Sequence, residues 1–205
     1  MIKGVIFDID GVLLDSMHLW WDLGARYLRS LGIEPEEGIC EKLHARSMEE
    51  GAAYLTAHYD LKKSEAEVMQ DVMGVIEKFY FEEVEEKKGA RETMQYYRNL
   101  GIPMVAATSS PREHVTRALM RVGLLEYLDA IYTTSEMETS KHEPKIYLHA
   151  AEELGCRPDE VFVYEDSLYA LRTAKEAGFH TVGIYDAASE ADQGALRELA
   201  EVYIR

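Results

Sequence analysis

Short apolar runs alternate with longer amphipathic segments along most of the chain, and this alternation predicts its fold. The apolar runs are rich in β-branched residues and Ala, as buried parallel strands are, and the segments between them have helical periodicity. The predicted strands are Val5–Phe7, Ile102–Ala107, Ala130–Thr133, Val161–Tyr164 and Thr181–Ile184. Strands that alternate with helices in this way predict an α/β fold with a Rossmann-like, doubly wound parallel sheet.

The helices of this α/β part are marked by glycines at their ends. The predicted helices are Ala90–Leu100, Ser110–Val122, Pro144–Leu154, Leu168–Ala177 and Ser189–Glu201. In the second of them, Ser110 is predicted as the N-cap and Pro111 as the first helical residue. Glu113 is then placed to complete a capping box.

From residue 16 to residue 84 the pattern of apolar and polar residues predicts helices throughout. Its predicted helices are Met17–Leu31, Glu36–His44, Met48–Tyr59 and Glu65–Val84. Ser47 and Ser64 each stand three residues before a glutamate, the sequence pattern of a capping box. We therefore predict a core domain of residues 1–15 and 85–205, with an inserted all-helical cap domain of residues 16–84. Because the insert leaves the core after the first strand, we expect it to form a lid over the crevice at that strand's end.

The first predicted strand ends in two carboxylates, Asp8 and Asp10, followed by Gly11. Side chains alternate along an extended chain, so the two carboxylates share one side. At the carboxyl end of a parallel strand, that side opens into the crevice where α/β proteins bind ligands. Two close carboxylates repel each other, so we expect a cation, and Mg²⁺ suits oxygen ligands. The simpler alternative is a strand that ends in a polar Asp-Gly turn.

Further polar residues follow other predicted strands. Hydroxyls at Thr108 and Ser109 precede a helix, an arrangement that can bind an anion. Glu165 and Asp166 end the fourth strand, and an acidic N-cap explains Asp166 more easily than Glu165. Lys141 stands before a helix, where a lysine is usually a solvated surface residue.

Acidic residues strongly outnumber basic ones. The 205 residues include 38 acidic and 22 basic ones, for a formal net charge of −16. Such a surface repels nucleic acid and anionic membranes, so we expect neither as a partner. The two cysteines, Cys40 and Cys156, lack metal-ligand spacing and predict reduced thiols in a cytoplasmic protein. We find no signal-peptide pattern at the start and no apolar run long enough to span a bilayer.

These motifs together resemble the haloacid dehalogenase superfamily, in its phosphatase and phosphomutase branch. Phe7–Ser16 is similar to the first motif, Thr108 stands at the place of the second, and Val163–Ser167 is similar to the fourth. The glycine that usually follows the fourth motif is Ala170 here. The motifs occur in the family's order and span the chain, so the resemblance implies the same core with a helical cap.

The third motif departs from the family pattern, which usually reads Lys-Pro-x-Pro-Asp in this branch. Lys141 and Pro144 match it, whereas His142 replaces a proline and Lys145 replaces the aspartate. The spacing to Pro144 assigns the motif lysine to Lys141, and Lys145 is the alternative.

The resemblance implies a reaction in two steps. Asp8 is the nucleophile that forms an aspartyl-phosphate, and Asp10 is the general acid and then the general base. Thr108, Ser109 and Lys141 bind the phosphoryl group together with Asp8. The Mg²⁺ ligands that the resemblance implies are Asp8, Asp10 through its backbone carbonyl, Glu165 and Asp166.

The expected function is a Mg²⁺-dependent phosphatase for a small phosphorylated metabolite, such as a sugar or polyol phosphate. A β-phosphoglucomutase-like phosphomutase is the first alternative, but that family pattern has His at the place of Trp20, Arg at Met48 and Gly near Ala45. Haloacid dehalogenases, as a family, use neither a second aspartate nor Mg²⁺, so the presence of Asp10, Glu165 and Asp166 argues against dehalogenation. The second alternative is a non-catalytic module that binds Mg²⁺ or phosphate without turnover.

The predicted cap domain offers candidates for substrate recognition. These candidates are His18, Trp20, Lys42, His44 and Arg46. Lys42 or Arg46 would bind a second anionic group of the substrate if it faced the crevice. Each of the five is also a common surface or packing residue. A monomer or a weak homodimer is expected.

Overall fold

The chain folds into two compact units. The structure, a computed structural model, describes residues 1–44 and 46–205, without the side chain of residue 44. The core unit comprises Met1–Ser16 and Val84–Arg205, and the helical unit comprises Met17–Glu83. In the described parts of the chain, no helix combines the length and the apolar character needed to cross a membrane.

The core unit is built on a parallel sheet. In the described residues it has six strands, in the order β3-β2-β1-β4-β5-β6. The strands are β1 Gly4–Phe7, β2 Met104–Thr108, β3 Ala130–Thr133, β4 Val161–Glu165, β5 His180–Ile184 and β6 Val202–Ile204. Phe7 of β1 lies opposite Ala106 of β2 and Tyr164 of β4. The predicted doubly wound α/β fold is confirmed. The strand order reverses beside β1, and this switch point is where such sheets bind ligands.

Helices flank this sheet and form the second unit. They are α1 Met17–Ser30, α2 Ile39–His44, α3 Met48–His58, α4 Glu65–Lys78, α5 Ala90–Asn99, α6 Arg112–Arg121, α7 Lys145–Glu153, α8 Leu168–Glu176 and α9 Gln193–Leu199. The helix α7 packs its buried residues Ile146, Tyr147 and Ala150 against Ile6, Val105 and Val163 of the central strands. All residues of β1 and β2 are buried, which explains why these strands read as continuous apolar runs.

Two sequence-based predictions in the core unit are wrong in detail. The chain after α9 forms the short edge strand β6, whereas five strands and a helix to Glu201 were predicted. The predicted cap of α6 is also wrong, because Pro111 occupies the N-cap position and the helix begins at Arg112. The hydroxyl of Ser110 donates to Asp10 instead, which draws this serine into the site described below.

The helical unit has the predicted caps. The hydroxyl of Ser47 accepts from the Glu50 N–H, and that of Ser64 accepts from the Glu67 N–H. Both capping boxes are complete. The helix α4 ends earlier than predicted and continues as a π-helical segment, Phe79–Glu83. Such segments arise where the helical hydrogen-bond pattern widens by one residue.

The points where the chain leaves and re-enters the core unit lie side by side. The Asp15 N–H donates to the Glu85 carbonyl at 2.9 Å, and the Lys87 N–H donates to the Leu13 carbonyl at 2.8 Å. The Lys87 side chain adds ion pairs to Asp15 and to Asp186. Within the core unit, this pairing holds the two ends of the chain segment that flanks the insert next to each other.

Candidate active site

Asp8 lies at the end of the central strand. Its N–H extends the sheet by donating to the Tyr164 carbonyl at 2.9 Å, and its side chain is 9% exposed. The ammonium group of Lys141 donates to Asp8 Oδ1 at 2.5 Å and to Glu165 Oε1 at 2.7 Å. One buried cation therefore joins the carboxylates that follow two neighbouring strands, β1 and β4.

Three buried carboxylates meet at this position. Asp8, Glu165 and Asp166 each offer an oxygen, and these oxygens lie within 4.8 Å of one another. Glu165 Oε2 and Asp166 Oδ2 are buried and have no hydrogen-bond partner within the described chain. Buried acceptors without partners are costly, and a hard cation would satisfy both. The donor set consists of carboxylate oxygens alone, so it fits Mg²⁺.

The electrostatics of the cluster are set by burial and by the shared lysine. Burial raises the pKa of Asp8 well above its usual value; Lys141 opposes this effect, and Glu165 and Asp166 add to it. Burial, with Glu165 next in importance, raises the pKa of Asp166 to about 7. Burial alone would lower the pKa of Lys141, but the Asp8 and Glu165 carboxylates outweigh it and raise that pKa. The cluster therefore holds more acidic groups than its lysine can neutralise, and a bound cation would relieve the excess.

The side chain of Asp10 has different partners. Its Oδ1 accepts from the Ser16 hydroxyl and its Oδ2 from the Ser110 hydroxyl, both at 2.6 Å. The sequence predicted a cation held between Asp8 and Asp10. The carboxylates that the structure groups with Asp8 are those of Glu165 and Asp166, and ligation of a cation by Asp10 stays a prediction. The ligand atom that the resemblance implies for Asp10 is its backbone carbonyl oxygen.

The hydroxyl-bearing loop after β2 lies next to these groups. Thr108 is fully buried, and its Oγ1 accepts from the Ser110 N–H at 3.0 Å. Ser109 is exposed. The bond from Ser110 to Asp10 connects this loop to the segment that follows β1.

The two candidate lysines of the third motif differ in placement. Lys141 is 4% exposed and contacts Asp8 and Glu165. Lys145 is exposed and donates to the Met137 carbonyl at 2.6 Å. The structure thus places Lys141 in the cluster and Lys145 outside it. His142, which replaces the motif proline, stacks on Tyr169 with ring centroids 4.3 Å apart.

Sequence reasoning missed Tyr147, Ser16 and Ser110 as site residues. The Tyr147 hydroxyl donates to Glu165 Oε1 at 2.7 Å, and its side chain is fully buried. Burial, with Glu165 next, raises the pKa of Tyr147 well above its usual value. A tyrosine on the apolar face of a helix is a usable signal, because a buried phenol needs a partner. The partner itself is visible only in the fold.

The candidates from the helical unit have separate environments. Trp20 and Arg46 line a cavity of about 190 Å³ inside this unit, together with Trp21 and Met48. His18 packs edge-on against Phe79, with ring centroids 5.4 Å apart. Their proposed contacts with substrate stay predictions.

The other two candidates are Lys42 and His44. The Lys42 ammonium pairs with Glu36 at 2.7 Å. The side chain of His44 lies outside the described residues. A role for either in substrate recognition stays a prediction.

The profile of the haloacid dehalogenase-like hydrolases matches residues 5–184 of this sequence. The chain belongs to this hydrolase family, as the order of its motifs and the cluster at the end of β1 indicate. The resemblance stated from the motifs is confirmed.

Named relatives cover nearly the whole chain. A phosphorylated carbohydrates phosphatase from Thermotoga maritima is 29% identical over 181 residues, which cover 88% of this chain and 84% of the relative. A validoxylamine A 7′-phosphate phosphatase from Streptomyces hygroscopicus subsp. limoneus is 28% identical and matches over 98% of this chain and 96% of its own. The sequence is thus similar to those of named phosphatases over most of its length.

A crystal structure from Thermotoga maritima, provisionally assigned as a β-phosphoglucomutase, is similar in three dimensions. Its TM-score is 0.87 at 28% sequence identity, and the match covers 100% of this chain and 94% of that chain. The likeness therefore includes both the sheet and the inserted helices.

Proposed function

We propose that the chain is a Mg²⁺-dependent phosphatase that hydrolyses a small phosphorylated metabolite through an aspartyl-phosphate on Asp8. The observation that carries this proposal is the setting of Asp8, a buried carboxylate held by Lys141 beside two further acids. The proposed nucleophile, a cation and a donor set for a metal thereby lie together at the ends of β1 and β4. The phosphatase relatives support the same reaction class.

In the first step an Asp8 oxygen bonds to phosphorus while the bond from phosphorus to the substrate's ester oxygen breaks. Asp10 gives its proton to the departing oxygen. The Thr108 hydroxyl, the Ser109 N–H and the Lys141 ammonium bind the phosphoryl oxygens and stabilise their charge. The product of this step is the free alcohol and a phosphorylated Asp8.

In the second step a water molecule attacks the phosphorus of the aspartyl-phosphate. Asp10, now a carboxylate, takes the proton of that water. The bond between Asp8 and phosphorus breaks, which restores the Asp8 carboxylate and releases inorganic phosphate. Ser16 and Ser110 hold both oxygens of Asp10 and so fix its position.

Asp8, Glu165 and Asp166 would hold Mg²⁺, together with the Asp10 carbonyl. When bound, the ion supplies positive charge that shields the approaching anions and stabilises the charge of the transferring phosphoryl group. The unpartnered oxygens of Glu165 and Asp166 support this assignment.

The substrate class follows from the relatives and from the helical unit. One relative acts, by its name, on phosphorylated carbohydrates and another on validoxylamine A 7′-phosphate. Both support a small phosphorylated organic compound, and we take a sugar or polyol phosphate as the class. We propose that the helical unit is the substrate-selecting cap and that Trp20 and Arg46, which line its cavity, contribute to this selection.

The test is hydrolysis of p-nitrophenyl phosphate by the purified protein, with Mg²⁺ and with EDTA, beside the Asp8→Asn variant. We expect Mg²⁺-dependent release of phosphate that Asp8→Asn abolishes, because the amide cannot form the phosphoenzyme. A panel of sugar and polyol phosphates then identifies the substrate class. Turnover by Asp8→Asn at the wild-type rate would refute the nucleophile assignment. Mg²⁺ binding without turnover would favour the non-catalytic module.

A phosphomutase is the second candidate, and the structural likeness at a TM-score of 0.87 favours it. A mutase returns the phosphoryl group to the bound intermediate instead of passing it to water. We would incubate the protein with β-glucose 1-phosphate and its bisphosphate activator. Formation of the 6-phosphate without phosphate release would favour the mutase, and phosphate release would favour the phosphatase.

A further inference from the structure

Tyr147 ends in the acid cluster although its backbone belongs to the packed face of α7. Its ring is fully buried and packs against Phe179, with centroids 6.2 Å apart. Its hydroxyl donates to Glu165 Oε1 at 2.7 Å. The side chain is thus fixed by packing at one end and by one hydrogen bond at the other.

Glu165 Oε1 has two donors, whereas its other oxygen has none in the described residues. Lys141 Nζ and the Tyr147 hydroxyl both donate to Oε1 at 2.7 Å. Oε2 is buried without a partner. Two donors on one oxygen fix the rotation of the carboxylate, and the second oxygen is then directed away from them.

The Tyr147 hydroxyl, a neutral donor, also affects which charges Lys141 neutralises. Lys141 is shared between Asp8 and Glu165, and it lies closer to Asp8, at 2.5 Å against 2.7 Å. A neutral hydroxyl can hold Glu165 without adding charge to the cluster. Lys141 is then left to neutralise Asp8 and an incoming phosphoryl group.

We propose that Tyr147 is a positioning residue, which holds Glu165 so that Oε2 is presented to Mg²⁺ and Lys141 stays with Asp8. This inference rests on the proposed function, since it concerns the same Mg²⁺ site. Hydrogen-bond partners of metal ligands commonly fix the orientation of the ligand, and their loss weakens metal affinity by about 10- to 100-fold. Tyr147 does not touch the reacting atoms itself.

The test compares Tyr147→Phe with wild type by calorimetric titration with Mg²⁺ and by turnover of p-nitrophenyl phosphate. We expect Mg²⁺ affinity to fall by about 10-fold or more. KM for p-nitrophenyl phosphate should change less than twofold at saturating Mg²⁺, because Tyr147 does not contact substrate. Unchanged Mg²⁺ affinity would overturn the inference.

The helical unit offers a matched control, Tyr27→Phe. The Tyr27 hydroxyl donates to Asp71 Oδ2 at 3.2 Å, and Lys63 donates to the same oxygen at 2.5 Å. The control removes the same hydroxyl from the same kind of Tyr-carboxylate-Lys group, and Tyr27 is also fully buried. We expect wild-type Mg²⁺ affinity for Tyr27→Phe. An equal loss in both variants would overturn the inference.

A double-variant cycle keeps the test independent of folding. If Tyr147 acts through Glu165, then Tyr147→Phe combined with Glu165→Gln binds Mg²⁺ as weakly as Glu165→Gln alone. A further 10-fold loss in the double variant would overturn the inference. If the wild type shows Mg²⁺-dependent turnover and Tyr147→Phe leaves the Mg²⁺ affinity unchanged, only the role of Tyr147 is refuted. Absence of turnover in a wild-type protein that binds Mg²⁺ refutes only the phosphatase.

Discussion

Lys141 is a single ammonium group that serves two buried carboxylates. It lies 2.5 Å from Asp8 and 2.7 Å from Glu165, and all three side chains are almost inaccessible to water. Removal of one partner from a buried ionic group leaves the remaining charges uncompensated, which is strongly unfavourable. The lysine therefore holds the acid cluster together, and in the proposed reaction it would also balance the charge of the phosphoryl group.

We predict that Lys141→Met lowers turnover of p-nitrophenyl phosphate by about 100- to 1,000-fold, the range found when one donor to developing charge is removed. Lys145→Met is the matched control, because Lys145 is exposed and contacts the Met137 carbonyl instead of the cluster. It should retain wild-type turnover. Steady-state kinetics of the two variants decide the question, and a reversed order would transfer the motif role to Lys145.

Residue identity alone predicted part of the site. Asp8, Glu165 and Asp166 could be found because each follows an apolar strand, and parallel strands bring their carboxyl ends together. Ser110 was read as a helix cap because a serine before a proline and a glutamate satisfies the local pattern. Its real partner, Asp10, is 100 residues away in sequence, and only the fold reveals such a contact. The same holds for Tyr147 and Glu165.

At the scale of elements, the end of α9 and the neighbouring strand β6 come close to Gly183 of β5. A Cβ atom added to Gly183 would lie 3.1 Å from Ala200 Cβ, 3.3 Å from Leu196 Cγ and 3.4 Å from Tyr203 Cδ2. The glycine thus allows the last helix and strand to approach the sheet. Gly194, on α9 itself, has open space around its Cα.

We predict that Gly183→Ala lowers the free energy of unfolding by about 1–3 kcal/mol, the usual cost of overpacking. Gly194→Ala should instead raise it by up to about 1 kcal/mol, because alanine loses less backbone entropy in a helix. Urea denaturation of both variants measures the difference. Equal effects of the same sign would contradict the packing argument.

A second element-scale contact connects α2 to α3 in the helical unit. Glu36, just before α2, accepts from Lys42 on α2 and lies 3.0 Å from His58 Nε2 at the end of α3. The hydrogen bond from Lys42, with that of His58 next, lowers the pKa of Glu36 to about 2. The folded state therefore favours the ionised carboxylate.

The lowered pKa of Glu36 determines how its contribution to stability depends on pH. Because the pKa of Glu36 is lowered, its ionised carboxylate stabilises the folded state at pH values above the ordinary pKa of 4.5. This stabilisation is lost as the pH falls towards 2. We expect Glu36→Gln to be less stable than wild type at neutral pH, and the difference to shrink below pH 4.5. Urea denaturation over this range, with Glu37→Gln as an exposed neighbour control, checks it. A difference that is constant with pH would refute the ionic contact.

Element boundaries show where sequence patterns lose information. The strands β1 to β5 were predicted because each is a buried apolar run between helices. The strand β6 was missed because it is a three-residue edge strand at the end of the chain, with Val202 and Ile204 exposed. The end of α4 was placed too late because Phe79 and Tyr80 of the π-helical segment Phe79–Glu83 lie three and four residues after the buried Ile76, which continues a helical spacing.

At the scale of the whole molecule, an acidic protein places three of its buried acids together at the switch point of its sheet. The formal net charge is −16, and the acids that contribute to it include Asp8, Glu165 and Asp166, which are buried beside one lysine. Both charge and topology favour a divalent cation at that position. Cation binding to the folded state alone stabilises it by mass action.

We predict that Mg²⁺ raises the melting temperature and that Asp166→Asn removes this effect. At about 100 times its Kd, a ligand adds about 2.7 kcal/mol to the free energy of unfolding. Asp60→Asn is the control, because this exposed aspartate pairs only on the surface with Lys62. Differential scanning fluorimetry at matched ionic strength separates specific binding from screening of the net charge. Identical shifts in both variants would show that Mg²⁺ acts by screening alone.

The paired backbone bonds from Asp15 to Glu85 and from Lys87 to Leu13 also affect how the chain tolerates change. They fix the exit and the return of the insert as neighbours within the core unit. The entropy of closing a segment between fixed ends grows only slowly with its length. Inserts of other lengths and sequences are therefore compatible with the same sheet. If the helical unit selects the substrate as proposed, then substrate choice can diverge during evolution without a change in the chemistry at the strand ends.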